Sequence, residues 1–217
     1  MIYCMSDIHG EIDRFHDMLK LIEFSEDDTL YVIGDVIDRK PNGVDILQEI
    51  IASPNIVMLR GNHEQMCLDT LGRNNTYGSR QLWKNNGGSS TYRELVYHTT
   101  QIGRDQTLKF ISDMPTNLDI QVDGRKFHLV HGWPSYNEED QLWNRPWDGE
   151  GKTWDDDTTV IIGHTPTIYL TKDKSDAPFQ IYHDPDGWID IDCGCGNETS
   201  RRRLACLRLN DMKEYYV

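Results

Sequence analysis

No stretch of this 217-residue chain stays apolar long enough to cross a bilayer. Its strongest apolar runs, 159–162 and 204–207, are a few residues long, against the roughly 18 that spanning requires. The first ten residues contain neither a basic segment nor a long apolar one, so a secretory leader is not expected. The five cysteines are an odd number, and the Cys193-Gly194-Cys195 spacing matches neither a zinc knuckle nor a thioredoxin-type pair. Reduced thiols in a cytoplasmic protein are the expectation. Positive charge is scarce as well: 22 Lys and Arg face 36 Asp and Glu, a formal charge of −14. That excess repels a phosphate backbone at long range, which argues against nucleic acid as a partner but not against a small, locally neutralised phosphate site. No internal repeat or low-complexity linker occurs, so one domain over 1–217 is expected. With 37% hydrophobic and 10% aromatic residues the chain can bury a sizeable core.

The apolar residues are arranged in short blocks. Residues 2–5 and 29–33 have the composition of buried strands, as do 55–59. Between them, Ile12, Phe15, Met18, Leu19 and Ile22 recur at helical spacing within 11–24, and Val44, Leu47, Ile50 and Ile51 do so after Pro41-Asn42-Gly43. Residues 64–114 are mostly helical in pattern, broken by Asn85-Asn86-Gly87-Gly88. From 117 onward strands predominate: a hairpin of 118–122 and 126–130 around Asp123-Gly124, then 159–162, 179–182, 189–192 and 204–209. An α/β first half and a strand-rich second half predict two packed sheets with helices outside.

Five of these strands end in the same kind of chemistry. They deliver Asp7 and His9, then Asp35, Asn62, His131 and His164. In open α/β sheets, sites form in the crevice at the carboxyl ends of strands, so these ends predict one site. Asp7 and His9, two residues apart at a strand end, are expected to point to one face by strand alternation. Six nitrogen and oxygen ligands without cysteine suit manganese, iron or zinc better than calcium, and they are too many for one ion that must also bind substrate. Two ions bridged by the Asp35 carboxylate are the economical reading. Such a pair, about 3.5–4 Å apart, clamps a phosphoryl group and generates hydroxide near neutral pH. His16, His98, His128 and His183 have no such setting and read as structural.

The blocks Asp7-Ile8-His9-Gly10, Gly34-Asp35-Val36-Ile37-Asp38-Arg39, Arg60-Gly61-Asn62-His63-Glu64, His131-Gly132 and Gly163-His164-Thr165 resemble those of the metal-dependent phosphoprotein phosphatases within the calcineurin-like metallophosphoesterases, especially the compact bacterial and bacteriophage lambda type. Trp83-Lys84-Asn85-Asn86-Gly87-Gly88 and Ile191-Asp192-Cys193-Gly194-Cys195 are similar to the bacterial branch. The resemblance implies a four-layer αββα sandwich and hydrolysis of phosphoserine and phosphothreonine in a protein or peptide substrate. By the same resemblance Asp7, His9 and Asp35 hold one metal, and Asp35, Asn62, His131 and His164 the other, most simply two manganese ions. It also implies that a hydroxide held by the metals attacks phosphorus directly, while His63, oriented by Asp38, is the general acid that protonates the departing serine or threonine oxygen. Arg39, Arg60 and Arg145, with Asn62, would bind the phosphate, since guanidinium forks match its oxygens. The need for a proton donor also follows independently from the alkoxide leaving group.

One position departs from the family pattern: Lys40 stands where glycine usually follows the arginine, so the loop carrying Arg39 is expected to differ in shape, or Lys40 to add a cation near the phosphate or simply to face solvent. Symmetrical dinucleoside tetraphosphate hydrolases are the alternative within the fold. They tend to lack an acid before the block's arginine, and Asp38 is present here, which favours phosphomonoesters. A non-catalytic binding scaffold is disfavoured because His63 and all six ligands are retained. Residues 138–157 carry eight carboxylates against Arg145 and Lys152, either a solvated acidic loop or a lip favouring basic substrate flanks.

Overall fold

The computed structural model describes residues 1–72, 75–148, 152–171 and 175–217. Strand β1 (Ile2–Met5) is followed by α1 (Ile12–Leu21), β2 (Thr29–Ile33), α2 (Gly43–Ala52), β3 (Ile56–Leu59) and α3 (Asn62–Leu71). The middle of the chain is helical as the pattern predicts: α4 (Tyr77–Asn85), α5 (Ser89–Arg93), a π-helical turn at Glu94–His98 and α6 (Gln101–Asp113). Next come β4 (Asn117–Val122), β5 (Arg125–Val130), α7 (Glu138–Trp143), β6 (Thr158–Ile162), a 3₁₀ turn at Thr167–Tyr169, β7 (Tyr182–His183), β8 (Trp188–Asp190), β9 (Ala205–Arg208) and β10 (Lys213–Tyr216).

These strands form two mixed five-stranded sheets, ordered β10-β9-β1-β2-β3 and β4-β5-β6-β8-β7, flanked by helices. Strands β1, β2 and β3 run parallel, as crossover through α1 and α2 requires, while β9 and β10 join antiparallel. Strand alternation separates two cores. Tyr3 and Met5 face Phe15, Met18 and Leu47 of the helices, whereas Cys4 faces the other way, into a cluster with Ile33, Leu129, Ile161 and Leu207 between the sheets. The outer face of the second sheet packs Trp133 and Trp188 with Val160 and Ile162. The β4–β5 hairpin turns at Asp123 and Gly124, both at positive φ, as a two-residue turn matched to strand twist demands.

Two strand expectations are corrected, and one strand is added. Residues 179–182 do not form a strand as a whole. Only Tyr182–His183 pairs, because Phe179 is held instead by Arg201 and Arg203, its carbonyl accepting from the Arg203 guanidinium. The strand expected over 189–192 ends at Asp190, whose carboxylate accepts the Asp192 N–H and diverts the chain from the ladder. The edge strand β10 is not predicted by the sequence pattern, since Lys213-Glu214-Tyr215-Tyr216 carries too little apolar alternation to announce itself. The five cysteines are buried and unpaired. Among the described residues no helix is long and apolar enough to cross a membrane.

Candidate metal centre and its cavity

Strand ends β1, β2, β5 and β6, with the start of α3 after β3, converge on one crevice, and the loops there are conformationally unusual. Asp7, His9, Asp35, Asp38, Arg39 and His164 all adopt positive φ. Non-glycine residues persist there only where surroundings over-determine them, at a cost on the order of 1–3 kcal/mol each. Asp7 and His9 lie beyond the end of β1, so strand alternation does not bring them together as expected. Their left-handed turns do, placing His9 Nε2 3.8 Å from Asp7 Oδ1 and 3.7 Å from Asp35 Oδ2. Glu64, at the third position of α3, organises the central loop by accepting the N–H groups of Gly61, Asp35, Val36 and Ile37. Burial, reinforced by Asp35, pushes its carboxyl up to about 7.

Two groups here have metal-ligand geometry: His9, Asp35 and His63 on one side, Asp35, His131 and His164 on the other. Asp35 belongs to both, and Asn62 Oδ1 lies 3.0 Å from His131 Nε2. The donor chemistry fits divalent ions. His9 Nδ1 is bonded to the Ile37 carbonyl, while its Nε2 is buried without a partner and faces two carboxylates. Burial, with Arg39 nearby, holds His9 well below the usual imidazole range, so that nitrogen offers a lone pair. His131 is likewise fixed through Nδ1 on the Ile33 carbonyl, 2.9 Å away. Although burial opposes it, the Asp35 carboxylate pushes metal-free His131 up to about 10. Burial pulls His164 down to about 3. Two further buried carboxyls, Asp190 and Asp192, are raised well above the usual range by burial, Asp190 next by Asp192 and Asp192 next by Asp7. Concentrated buried acid of this kind calls for cations.

Beside this centre stands a hydrogen-bonded chain. His63 Nδ1 is 2.7 Å from Asp38 Oδ2, and the same oxygen accepts the Trp83 indole N–H at 2.6 Å. His63 Nε2 turns toward Asp35, 3.8 Å away. Despite burial, Asp35 and Asp38 raise the His63 imidazole above its ordinary value. In the sequence Trp83 stands out only as part of the block similar to the bacterial branch. Its indole partner lies 45 residues away, so spacing gave no hint of it. Replacing Trp83 by Phe removes one of the two partners of Asp38 Oδ2 and leaves His63. Turnover of an alkyl phosphate is expected to fall about 10-fold, the worth of one hydrogen bond to a charged group, with metal content preserved by elemental analysis.

A cavity of about 250 Å³ opens above the centre and is lined in part by Arg39, Asn62, His63, Arg145 and His164. Arg39 and Arg145 therefore stand where a phosphate-binding role requires. Arg60 does not line it: its two terminal nitrogens are committed to Gln65 and the Met114 carbonyl, and its role in the sequence reading is not supported by its placement. Lys40 needs no positive φ and pairs with Glu198, so it supplies no cation to the cavity. None of the carboxylates of 138–157 among the described residues lines it either. Asp156 and Asp157 are paired with Lys152 and Lys126, and Asp148 accepts the Arg145 N–H; Glu150 lies outside the described residues. His16, His128 and His183 form exposed pairs with Glu49, Asp119 and Glu214.

The backbone approaches the ligands so closely that side chains are excluded. A Cβ on Gly163 would lie 2.5 Å from Asp7 Oδ2 and strike Ser6, and one on Gly61 would strike Asp35. Gly163→Ala is expected to cost about 1–3 kcal/mol of stability, the range for overpacking, and to lower metal content. Thermal melts with metal analysis would check both.

The family model described as calcineurin-like phosphoesterase matches residues 1–189. The chain belongs to the calcineurin-like phosphoesterase family. This phosphoesterase is 31% identical over 131 residues to serine/threonine-protein phosphatase 2 of Escherichia coli (strain K12), covering 60% of this chain and 57% of that protein. It is 29% identical over 145 residues to the symmetrical bis(5'-nucleosyl)-tetraphosphatase of Acidovorax ebreus (strain TPSY), covering 65% and 47% respectively. The chain thus spans about half the length of these curated relatives. Its fold is that of a metallophosphoesterase from Sphaerobacter thermophilus, with a TM-score of 0.60 at 16% identity over 100% of this chain and 87% of that one. Calcineurin-like phosphoesterases are hydrolases that use a dinuclear metal centre, and the His and Asp groups of this crevice could hold one.

Proposed function

We propose that this phosphoesterase is a phosphomonoester hydrolase that removes phosphate from serine and threonine of a protein or peptide, with manganese as the simplest metal. The observation that carries the reading is the Trp83–Asp38–His63 chain at the cavity. Two divalent ions, held by Asp7, His9 and Asp35 and by Asp35, Asn62, His131 and His164, would supply positive charge against the phosphoryl oxygens and acidify water. Arg39 and Arg145 grip the remaining phosphate oxygens from the cavity wall. His63, protonated and facing the site through Nε2, gives its proton to the departing serine or threonine oxygen, and Asp38 stabilises the imidazolium through Nδ1. A serine or threonine alkoxide leaves only if protonated, whereas a nucleoside diphosphate leaves readily without a proton. A buried proton donor is therefore best matched to the alkyl ester.

Hydrolysis of symmetrical dinucleoside tetraphosphates is the second reading, favoured by the likeness to the Acidovorax protein. Side-by-side manganese-dependent turnover of p-nitrophenyl phosphate, its bis-ester, a phosphothreonine peptide and diadenosine tetraphosphate separates them. The phosphopeptide and p-nitrophenyl phosphate are expected to be cleaved with the higher kcat/KM. Preference for the tetraphosphate or the bis-ester would overturn the proposal.

A further inference from the structure

A second cavity, of about 270 Å³, lies on the other side of the turn at Asn86–Gly88 from the catalytic one. Trp83, Tyr92 and Tyr97 wall it, and Arg80, Lys84 and Arg93 edge it. Asn86 lines the catalytic cavity, the Gly87 carbonyl accepts the Arg39 N–H, and Gly88 lines the second cavity, so three consecutive residues separate the two. Trp83 belongs to both structures: its ring walls the groove while its N–H holds Asp38.

The charge here runs against that of the whole chain. No carboxylate occurs between Asp69 and Glu94, a stretch holding Arg73, Arg80, Lys84 and Arg93 in a chain of net charge −14. Elsewhere Lys40, Lys109, Lys126, Lys152, Arg202 and Arg208 are each paired with a carboxylate, while scattered cations such as Lys20 and Arg104 have no ion pair among the described residues, so it is the clustering that sets this stretch apart. Among the described residues Arg80, Lys84 and Arg93 are not so paired, and all three are exposed. The Arg80 guanidinium sits 4.9 Å from the Tyr92 ring centre and bonds its hydroxyl, leaving an apolar hollow with unspent positive charge at its edge. Complementarity calls for an occupant with an apolar side chain and acidic neighbours. A nucleobase fits less well on Tyr92, because that ring meets Trp83 at 72° and Tyr97 at 76° and so has no parallel partner in either to sandwich a flat base.

We infer that this groove docks the flank of a phosphopeptide substrate bearing an apolar side chain among Asp or Glu residues. The inference rests on the phosphomonoesterase reading and names its substrate class. It runs opposite to the preference for basic flanks that a lip formed by the acidic segment 138–157 would give, the other reading of that segment being a solvated loop.

The test uses the full chain with manganese and three substrates: phosphothreonine peptides with Asp/Leu/Glu flanks, matched peptides with Lys/Leu/Arg flanks, and diadenosine tetraphosphate. Wild type is expected to favour the acidic peptide about 10-fold in kcat/KM, chiefly through KM, with the preference shrinking as salt rises. Lys84→Glu/Arg93→Glu should reverse the preference, and the neutral Lys84→Gln/Arg93→Gln pair, which keeps the test if the reversed variant misfolds, should abolish it. Equal rates for the two peptides in wild type, or a preference that survives both variants, would overturn the docking inference while leaving the phosphatase reading intact. Turnover of the tetraphosphate alone, sensitive to the variants, would overturn both and assign the groove to a nucleotide.

Discussion

Excess chelator is expected to take turnover of p-nitrophenyl phosphate by this phosphoesterase to background, a loss of about 10³-fold or more, and manganese to restore it. The size follows from charge. A metal opposite the phosphoryl oxygens contributes several kcal/mol to the transition state, and each 1.4 kcal/mol is about a factor of ten. The donor set makes the dependence hard to evade, since Asp7, Asp35, His9 and His131 are almost fully buried and His9 Nε2 has no protein partner. Without ions, the leading opposing charge beside both Asp7 and Asp35 is that of His131, an imidazole whose neutral form is needed as a ligand. The same buried acid predicts a second readout. Because ions bind the folded site and not the unfolded chain, the metal-free protein should melt at a lower temperature, by an amount that depends on metal concentration. Full activity in excess chelator would sink the two-metal reading.

The second large effect concerns His63. Replacing it by Asn should slow kcat on a phosphothreonine peptide by about 10²–10⁴-fold, the usual worth of a general acid, while metal content stays near that of wild type. p-Nitrophenyl phosphate, whose leaving phenol needs less protonation, should be slowed less. His63 also falls within a group of potential metal donors with His9 and Asp35, so the variant separates two roles. Loss of metal with equal slowing of both substrates would make His63 a ligand. The bond from Nδ1 to Asp38, with Trp83 on the same oxygen, argues for the proton donor, because it stabilises the charged imidazolium.

Much of this site was legible because its residues sit where the chain changes from strand to loop. The runs before Asp7, Asp35, Asn62, His131 and His164 are short, apolar and strand-like, and their ends announce polar groups that a core would not otherwise tolerate. Less legible were features whose partners are distant in sequence. Arg60 sits in a matching block, yet its guanidinium turns to the Met114 carbonyl, 54 residues on. Lys40 suggested a cation at the phosphate, and Glu198, 158 residues away, takes it. Edge strand β10 depends on β9 for its pairing and carries little pattern of its own.

By itself, the sequence determined the alternation of strands and helices in the first half, the two-sheet architecture and the list of metal-binding candidates. Periodicity and strand-end chemistry are local properties of the chain. Only the tertiary structure decided which cations face the cavity, what holds Asp38, and that the described carboxylates of the acidic segment stay out of the site while a cationic aromatic groove adjoins it. Those outcomes depend on where the helices and loops that carry them come to rest against the sheets. Side-chain direction there is set by packing and by hydrogen bonds between residues tens to more than a hundred positions apart, which no local pattern encodes.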